Sequence, residues 1–245
     1  MKHVVALLVA LGLSWGAAAQ SPSFTPAQRA EIVTILRDAL RTDPTLLRDA
    51  IGAMQQQETL REEATARAAI AGLGGALTRD GGDPVAGNPQ GDVTLVEFYD
   101  VRCPYCRRML PVMAELLKRE PGLRVVYKDL PILGPPSVLG ARALLAAQKQ
   151  GGYFRLHDTL MAGPPEIDLA RLQAAAVGVG LDWDRLQRDM AAPEIQSRIA
   201  ANLALGQQLH IEGTPAYVIG TRMIPGAVDL AELQAAVNEA RTARP

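Results

Sequence analysis

Val93-Thr94-Leu95-Val96-Glu97-Phe98-Tyr99, then Cys103-Pro104-Tyr105-Cys106, then Arg107-Arg108-Met109-Leu110-Pro111-Val112-Met113 is the stretch on which the fold turns. The first segment has the length and the β-branched and aromatic content of a buried strand. The last has the composition of a helix, and the two cysteines between them are the only two in the 245 residues. A Cys-x-x-Cys at a strand-to-helix junction marks a dithiol–disulfide redox centre.

Spacing explains the pairing. Residues i and i+3 on the first turn of a helix lie roughly 5–6 Å apart, a separation that a disulfide tolerates. Cys103 falls where unpaired backbone N–H groups and the helix dipole favour negative charge, so its thiolate is stabilised. Pro104 suits the first helical position, having a helical φ and no N–H to leave unpaired. Cys106 is one turn deeper. Cys103 is therefore read as the attacking nucleophile and Cys106 as the resolving thiol. Zinc would need four ligands, and beyond the apolar leader only His157 and His210 could add to the pair. An inert structural disulfide would close too small a loop to restrict the unfolded chain much.

Met1-Lys2-His3, an apolar run from Val4 to Leu13 and Ala17-Ala18-Ala19 have the order of a secretory signal peptide, placed at residues 1–19. The run is short for a membrane span. Export takes the chain out of the cytosol, and outside it disulfide chemistry persists. A formal net charge of −1 and a pI near 6.3 offer no clustered basic surface, so no nucleic-acid partner is expected.

Working outward, residues 20–75 read as an N-terminal helical segment. Thr25-Pro26-Ala27-Gln28 has the form of a capping box. Ile32, Ile35, Leu36 and Leu40 follow helical spacing, and Leu47, Ile51 and Met54 form a second stripe. Too thin in large apolar residues for a core of its own, the segment either docks on the main domain or pairs with copies of itself as a homo-oligomer through residues 25–71. Residues 72–91 hold seven glycines with Pro84 and Pro89, so a glycine-rich linker is placed at 76–91. Beyond it the order is β, α, β, several helices, then β, β, α. Strands are expected at Val93–Tyr99, Leu123–Lys128, Ala216–Ile219 and Arg222–Ile224, with helices near 104–119 and 229–240. This is an α/β thioredoxin fold over residues 84–245, with an inserted helical subdomain at about 136–209.

Gly87-Asn88-Pro89, Val93–Asp100, Cys103-Pro104-Tyr105-Cys106 and Gly213-Thr214-Pro215-Ala216-Tyr217-Val218-Ile219 together resemble the Dsb-type thioredoxin-fold oxidoreductases of bacterial envelopes. Residues 32–51 resemble the N-terminal segment of the suppressor-of-copper-sensitivity C proteins, members of which assemble through it and shuffle disulfides. The resemblance implies a cis proline beside the dithiol, which falls on Pro215, preceded by Thr214. Together with Pro104 and Tyr105 these would meet the substrate, the extended backbone at Thr214 pairing with a client peptide. It also implies an acid six residues before the first cysteine that moves the proton of the deeper one, which falls on Glu97. Lys128 is a candidate partner for Glu97. Arg102, Arg107 and Arg108 either favour the thiolate or form a solvated face. Met109 and Met113 read as core, and His157 as a surface or packing residue.

The function expected is that of a periplasmic thiol–disulfide oxidoreductase acting on exported proteins with thiols or disulfides, leaning to isomerase or reductase. It would be served by a membrane redox partner, and the chemistry needs no cofactor. The alternatives are a disulfide-donating oxidase and an envelope copper-binding protein that holds Cu(I) with the dithiol.

Overall fold

The computed structural model describes residues 24–79 and 81–243. The leader read over residues 1–19 lies outside them. Among the described residues no helix is long and apolar enough to cross a membrane. The chain forms two compact units that meet in sequence between Gln57 and Glu58.

The first unit contains α1 (Pro26–Thr42) and the start of α2 (Thr45–Leu73). The capping box is formed. Thr25 Oγ1 accepts the Gln28 N–H at 3.3 Å, and Gln28 Oε1 accepts the Thr25 N–H at 2.8 Å. Between the helices the Asp43 carboxylate accepts both the N–H and the hydroxyl of Thr45, which restarts the chain as α2. None of α1 is buried, and Ile32, Ile35, Leu36, Leu40, Leu47, Ile51 and Met54 are all exposed.

The second unit is a mixed α/β thioredoxin-like sheet with inserted helices. Its strands are β1 (Val85–Gly87), β2 (Val93–Tyr99), β3 (Leu123–Asp129), β4 (Ala216–Ile219) and β5 (Arg222–Pro225), in the order β1-β3-β2-β4-β5. β2 and β3 run parallel, so a crossover must join them, and α4 (Pro104–Arg119) supplies it. β4 lies antiparallel on the other side of β2 and turns into β5 through Gly220-Thr221. Gly220 takes a φ of 59°, the left-handed conformation that a two-residue hairpin demands. Between β3 and β4 come α5 (Pro135–Gln148), α6 (Tyr153–Ala162), α7 (Leu169–Gly178), α8 (Trp183–Met190) and α9 (Pro193–Gln208), and α10 (Leu230–Thr242) follows the hairpin.

Alternation along the strands gives the sheet two buried faces. Leu95, Tyr99, Val125, Tyr127, Tyr217 and Ile219 join the cluster built with Met109, Met113 and Leu116 of α4 and with Leu233 and Val237 of α10. Val96, Phe98, Val126 and Val218 join a second cluster with Ile70, Leu77, Leu205 and Leu209. The methionines of α4 are thus core residues, 2% and 3% exposed.

Two features depart from the sequence reading. Within the glycine-rich stretch lie the short helix α3 (Gly75–Thr78), with Leu77 fully buried, and β1, paired antiparallel with β3. Lys128 does not meet Glu97. The parallel register sets Glu97 beside Tyr127, which places Lys128 on the opposite face. There its Nζ donates to Asp83 Oδ2 at 2.6 Å and to the Ala76 carbonyl at 3.1 Å, with Arg198 also bridged to Asp83.

Candidate active site

The strand β2 ends at Tyr99, and the chain turns through Asp100-Val101-Arg102 before α4 starts with Cys103 as its N-cap and Pro104 at N1. Asp100 holds that turn. Its carbonyl accepts the Cys103 N–H at 2.9 Å, and its buried carboxylate accepts the N–H groups of Arg102 at 2.8 Å and Leu133 at 3.0 Å. Arg102 in turn donates to the Leu133 carbonyl at 2.8 Å. Arg107 donates to the carbonyls of Val101, Met161 and Gly163. These two arginines pin neighbouring loops around the dithiol and do not form a solvated face. Sequence reasoning missed Asp100 altogether; an acid three residues before the N-cap of a helix was the available signal.

Both cysteines are free thiols. The Cys103 thiol donates to the Thr214 carbonyl at 3.1 Å. Its pKa is lowered to about 5. The largest cause is the hydrogen bond from the Cys106 thiol; the Thr214 side chain and the N–H groups of Cys106 and Tyr105 also help, against the opposing effect of burial. Cys106, 1% exposed, is pushed far up by burial and by the neighbouring Cys103. The helix start therefore separates the two sulfurs into a ready anion and a reserve thiol.

The Thr214–Pro215 peptide bond is cis and stands against Cys103 at the entry to β4. Tyr105 is 53% exposed beside the dithiol, with the Arg108 guanidinium 4.5 Å above its ring. Ile132 and Leu133, on the loop that Asp100 and Arg102 hold, are exposed as well. Glu97 is 4% exposed and pairs across the antiparallel ladder with Tyr217. Burial raises its pKa to about 8, the Tyr217 hydroxyl acting in the other direction. Among the described residues Glu97 Oε2 has no hydrogen-bond partner, and Glu97 lines a small cavity together with Cys106, Leu110, Met113, Tyr127, His157 and Met161. The cavity has a volume of about 10 Å³, roughly the room one water needs. The sequence reading thus named Cys103, Cys106, Glu97, Thr214 and Pro215, and the fold gathers them within one site from β2, α4 and β4.

Residues 94–238 match the family of DSBA-like thioredoxin domains. The chain belongs to that family. Residues 28–59 match a second family, the copper resistance protein ScsC N-terminal domain. Within the DSBA-like domain, Cys103 and Cys106 stand at the Cys-x-x-Cys of thiol–disulfide oxidoreductases. A thioredoxin-like oxidoreductase from Silicibacter pomeroyi DSS-3 is 44% identical, with 70% of this chain and 99% of that one covered and a TM-score of 0.68. Proteus mirabilis ScsC in a transitional conformation is 30% identical, with 90% and 98% covered and a TM-score of 0.65. Among curated relatives, the Na(+)/H(+) antiporter NhaA 3 of Salinispora tropica is 33% identical over 160 residues. That match covers 64% of this chain and 24% of the antiporter, so the chain spans about a quarter of that relative's length.

Proposed function

We propose that the protein is a periplasmic thiol–disulfide oxidoreductase that acts on exported proteins, with Cys103 as nucleophile and Cys106 as resolving thiol. The observation that carries this reading is the opposite displacement of the two thiol pKa values, Cys103 down to about 5 and Cys106 upward, within one helical turn. The ionised sulfur of Cys103 attacks a client disulfide; a mixed disulfide forms and one client sulfur leaves with the electron pair. Either the freed client thiolate returns to rearrange the bond, or Cys106 displaces the client and closes the Cys103–Cys106 disulfide. Thr214, next to Cys103 and just before β4, offers its backbone to the client chain, with Pro104 and Tyr105 at the rim.

The isomerising or reducing direction is favoured by the N-terminal segment. Its exposed apolar stripes suit self-association through residues 25–71, which would set several dithiols around one client. A disulfide-donating oxidase is the second reading, favoured by the low pKa of Cys103. A stabilised thiolate is a good leaving group and makes the pair more oxidising. A membrane redox partner would reset the pair in either case.

Trapping tests the reading. Cys106→Ser removes the resolving thiol, so a covalent adduct between Cys103 and a client polypeptide should accumulate and be released by reductant, while Cys103→Ser should give none. A Cys106→Ser protein that never forms such an adduct removes the proposal. Refolding of a scrambled substrate then separates isomerase from oxidase.

A further inference from the structure

The cavity beside Cys106 contains one group that the exchange chemistry above leaves without a task. His157, on α6, is 3% exposed and lines the cavity together with Glu97, Cys106 and Tyr127. Its Nδ1 lies 2.9 Å from Asp158 Oδ1, and the Asp158 side chain is 65% exposed. The ring meets Tyr99 from β2, Tyr127 from β3, and Tyr153, Phe154 and Asp158 from α6 itself, and it shares the cavity lining with Glu97 and Cys106. The ring centroids of Tyr99, Tyr127 and Tyr153 stand 5.1, 5.6 and 6.0 Å from that of His157. Asp129 is held by the Tyr99 and Tyr153 hydroxyls at 2.8 and 2.9 Å, one residue removed from the imidazole.

Among these groups, the tyrosines and Cys106 are buried and Glu97 has an unpartnered buried oxygen. Among the described residues that line the cavity, His157 is the one hydrogen-bonded to an exposed acid, Asp158. We propose that His157 is a relay residue of the dithiol site, passing the resolving proton between Glu97 and solvent by way of Asp158.

The step balances. In the mixed disulfide, the Cys106 thiol gives its proton to the Glu97 carboxylate, through a water in the cavity where the direct path is too long. The Cys106 sulfur forms the bond to Cys103, the bond from Cys103 to the client breaks, and the client sulfur leaves with the electron pair. The proton on Glu97 then moves to the imidazole and out along Asp158, which restores Glu97 as a base. In the donating direction, where Cys106 is regenerated as a thiol, the proton runs the opposite way. An imidazole suits this station because it accepts on one nitrogen while donating from the other. His157 acts through Glu97: it takes the proton on during resolution and returns it in the donating direction, a positioning role and not an attack on sulfur.

The inference rests on the reading that Cys106 resolves a mixed disulfide at Cys103, and its test separates the two. Capture of a disulfide-bearing peptide and its resolution are timed separately on the full chain, in water and in deuterium oxide. His157→Phe keeps an aromatic ring in the cluster and removes both nitrogens. Resolution is expected to slow by about tenfold or more, with a larger solvent isotope effect, while capture by the already ionised Cys103 keeps its rate. Unchanged resolution, or equal slowing of both steps, overturns the relay. If His157→Phe does not fold, Asp158→Asn at the exposed end decides: slower resolution supports the relay and an unchanged rate removes it. Failure of capture in the unsubstituted protein would instead sink the oxidoreductase reading itself.

Discussion

The Cys103 thiol and the Thr214 carbonyl oxygen stand 3.1 Å apart although 111 residues separate them. This contact brings the start of α4 to the start of β4. It means that the proposed nucleophile and the backbone edge proposed to hold a client chain are parts of one surface.

Reduced Cys103 should titrate at about 5, against roughly 8.5 for a free cysteine. At pH 7 it is then ionised to about 99%. An acid whose folded pKa is depressed adds stability that is full above its unfolded value and lost as pH falls through the folded one. The reduced protein should therefore gain stability relative to the oxidised form as pH rises from about 5 to about 8.5, since the oxidised form has no thiol to ionise. Thiolate absorbance against pH measures the first, and paired denaturant melts the second. A midpoint near that of a free cysteine would withdraw the nucleophile assignment.

Glu97→Gln should raise stability while slowing resolution. The folded pKa of Glu97 is about 8, above the ordinary 4.5. The folded state thus binds the proton more tightly. Its stabilising effect is full below about pH 4.5 and is lost as pH rises to about 8. At pH 7 the amide removes that penalty, a gain on the order of 1–3 kcal/mol. The melt of the variant should also lose part of its pH dependence between those values, the part that remains including Asp129, which burial raises to about 7. Resolution of the mixed disulfide should fall by about 100-fold, with capture unaffected. A variant that resolves at the normal rate would show that Cys106 loses its proton elsewhere.

Much of the site was legible because it is local. Val93–Tyr99 and Ala216–Ile219 are the observed strands residue for residue, and the helix from Pro104 to Arg119 follows from the N-cap cysteine and the N1 proline. What escaped the sequence is set by pairing in space. β1 is three residues in a run rich in glycine, and the backbone of β3 makes it a strand. Lys128 reads as a partner for Glu97 only until the register is known, since one residue of offset decides the face. His157 carries no periodic signal that would reveal the cavity α6 places it beside. Asp100 acts through hydrogen bonds to residues as distant as Leu133.

Lys128→Met should destabilise the protein by about 3 kcal/mol. Lys128 and Asp83 are each 1% exposed at the side chain and 2.6 Å apart, so losing the ammonium leaves a buried carboxylate with Arg198 at 3.4 Å. Adding Asp83→Asn should recover part of the loss, because the buried carboxylate that the ammonium had neutralised is gone too. Urea midpoints of the two single variants and the double variant measure the coupling, and strictly additive effects would show the pair to be energetically unimportant.

Ile35 and Leu36 of α1 are 59% and 56% exposed, on the stripe that also carries Ile32 and Leu40. Soluble monomers rarely leave such contiguous apolar faces uncovered, and nothing on α1 itself is buried. A charge here should cost little in a lone chain, where exposed substitutions stay within about 0.5 kcal/mol. In an assembly through residues 25–71 it would sit inside an apolar interface without a partner. Leu36→Glu with Ile35→Glu should therefore convert an associating protein to a monomer with an unaltered Cys103 titration, and isomerase activity should fall while simple peptide capture persists. Light scattering reads the mass directly. A full chain that is monomeric before substitution, or an assembly that survives both glutamates, would remove self-association as the use of that stripe.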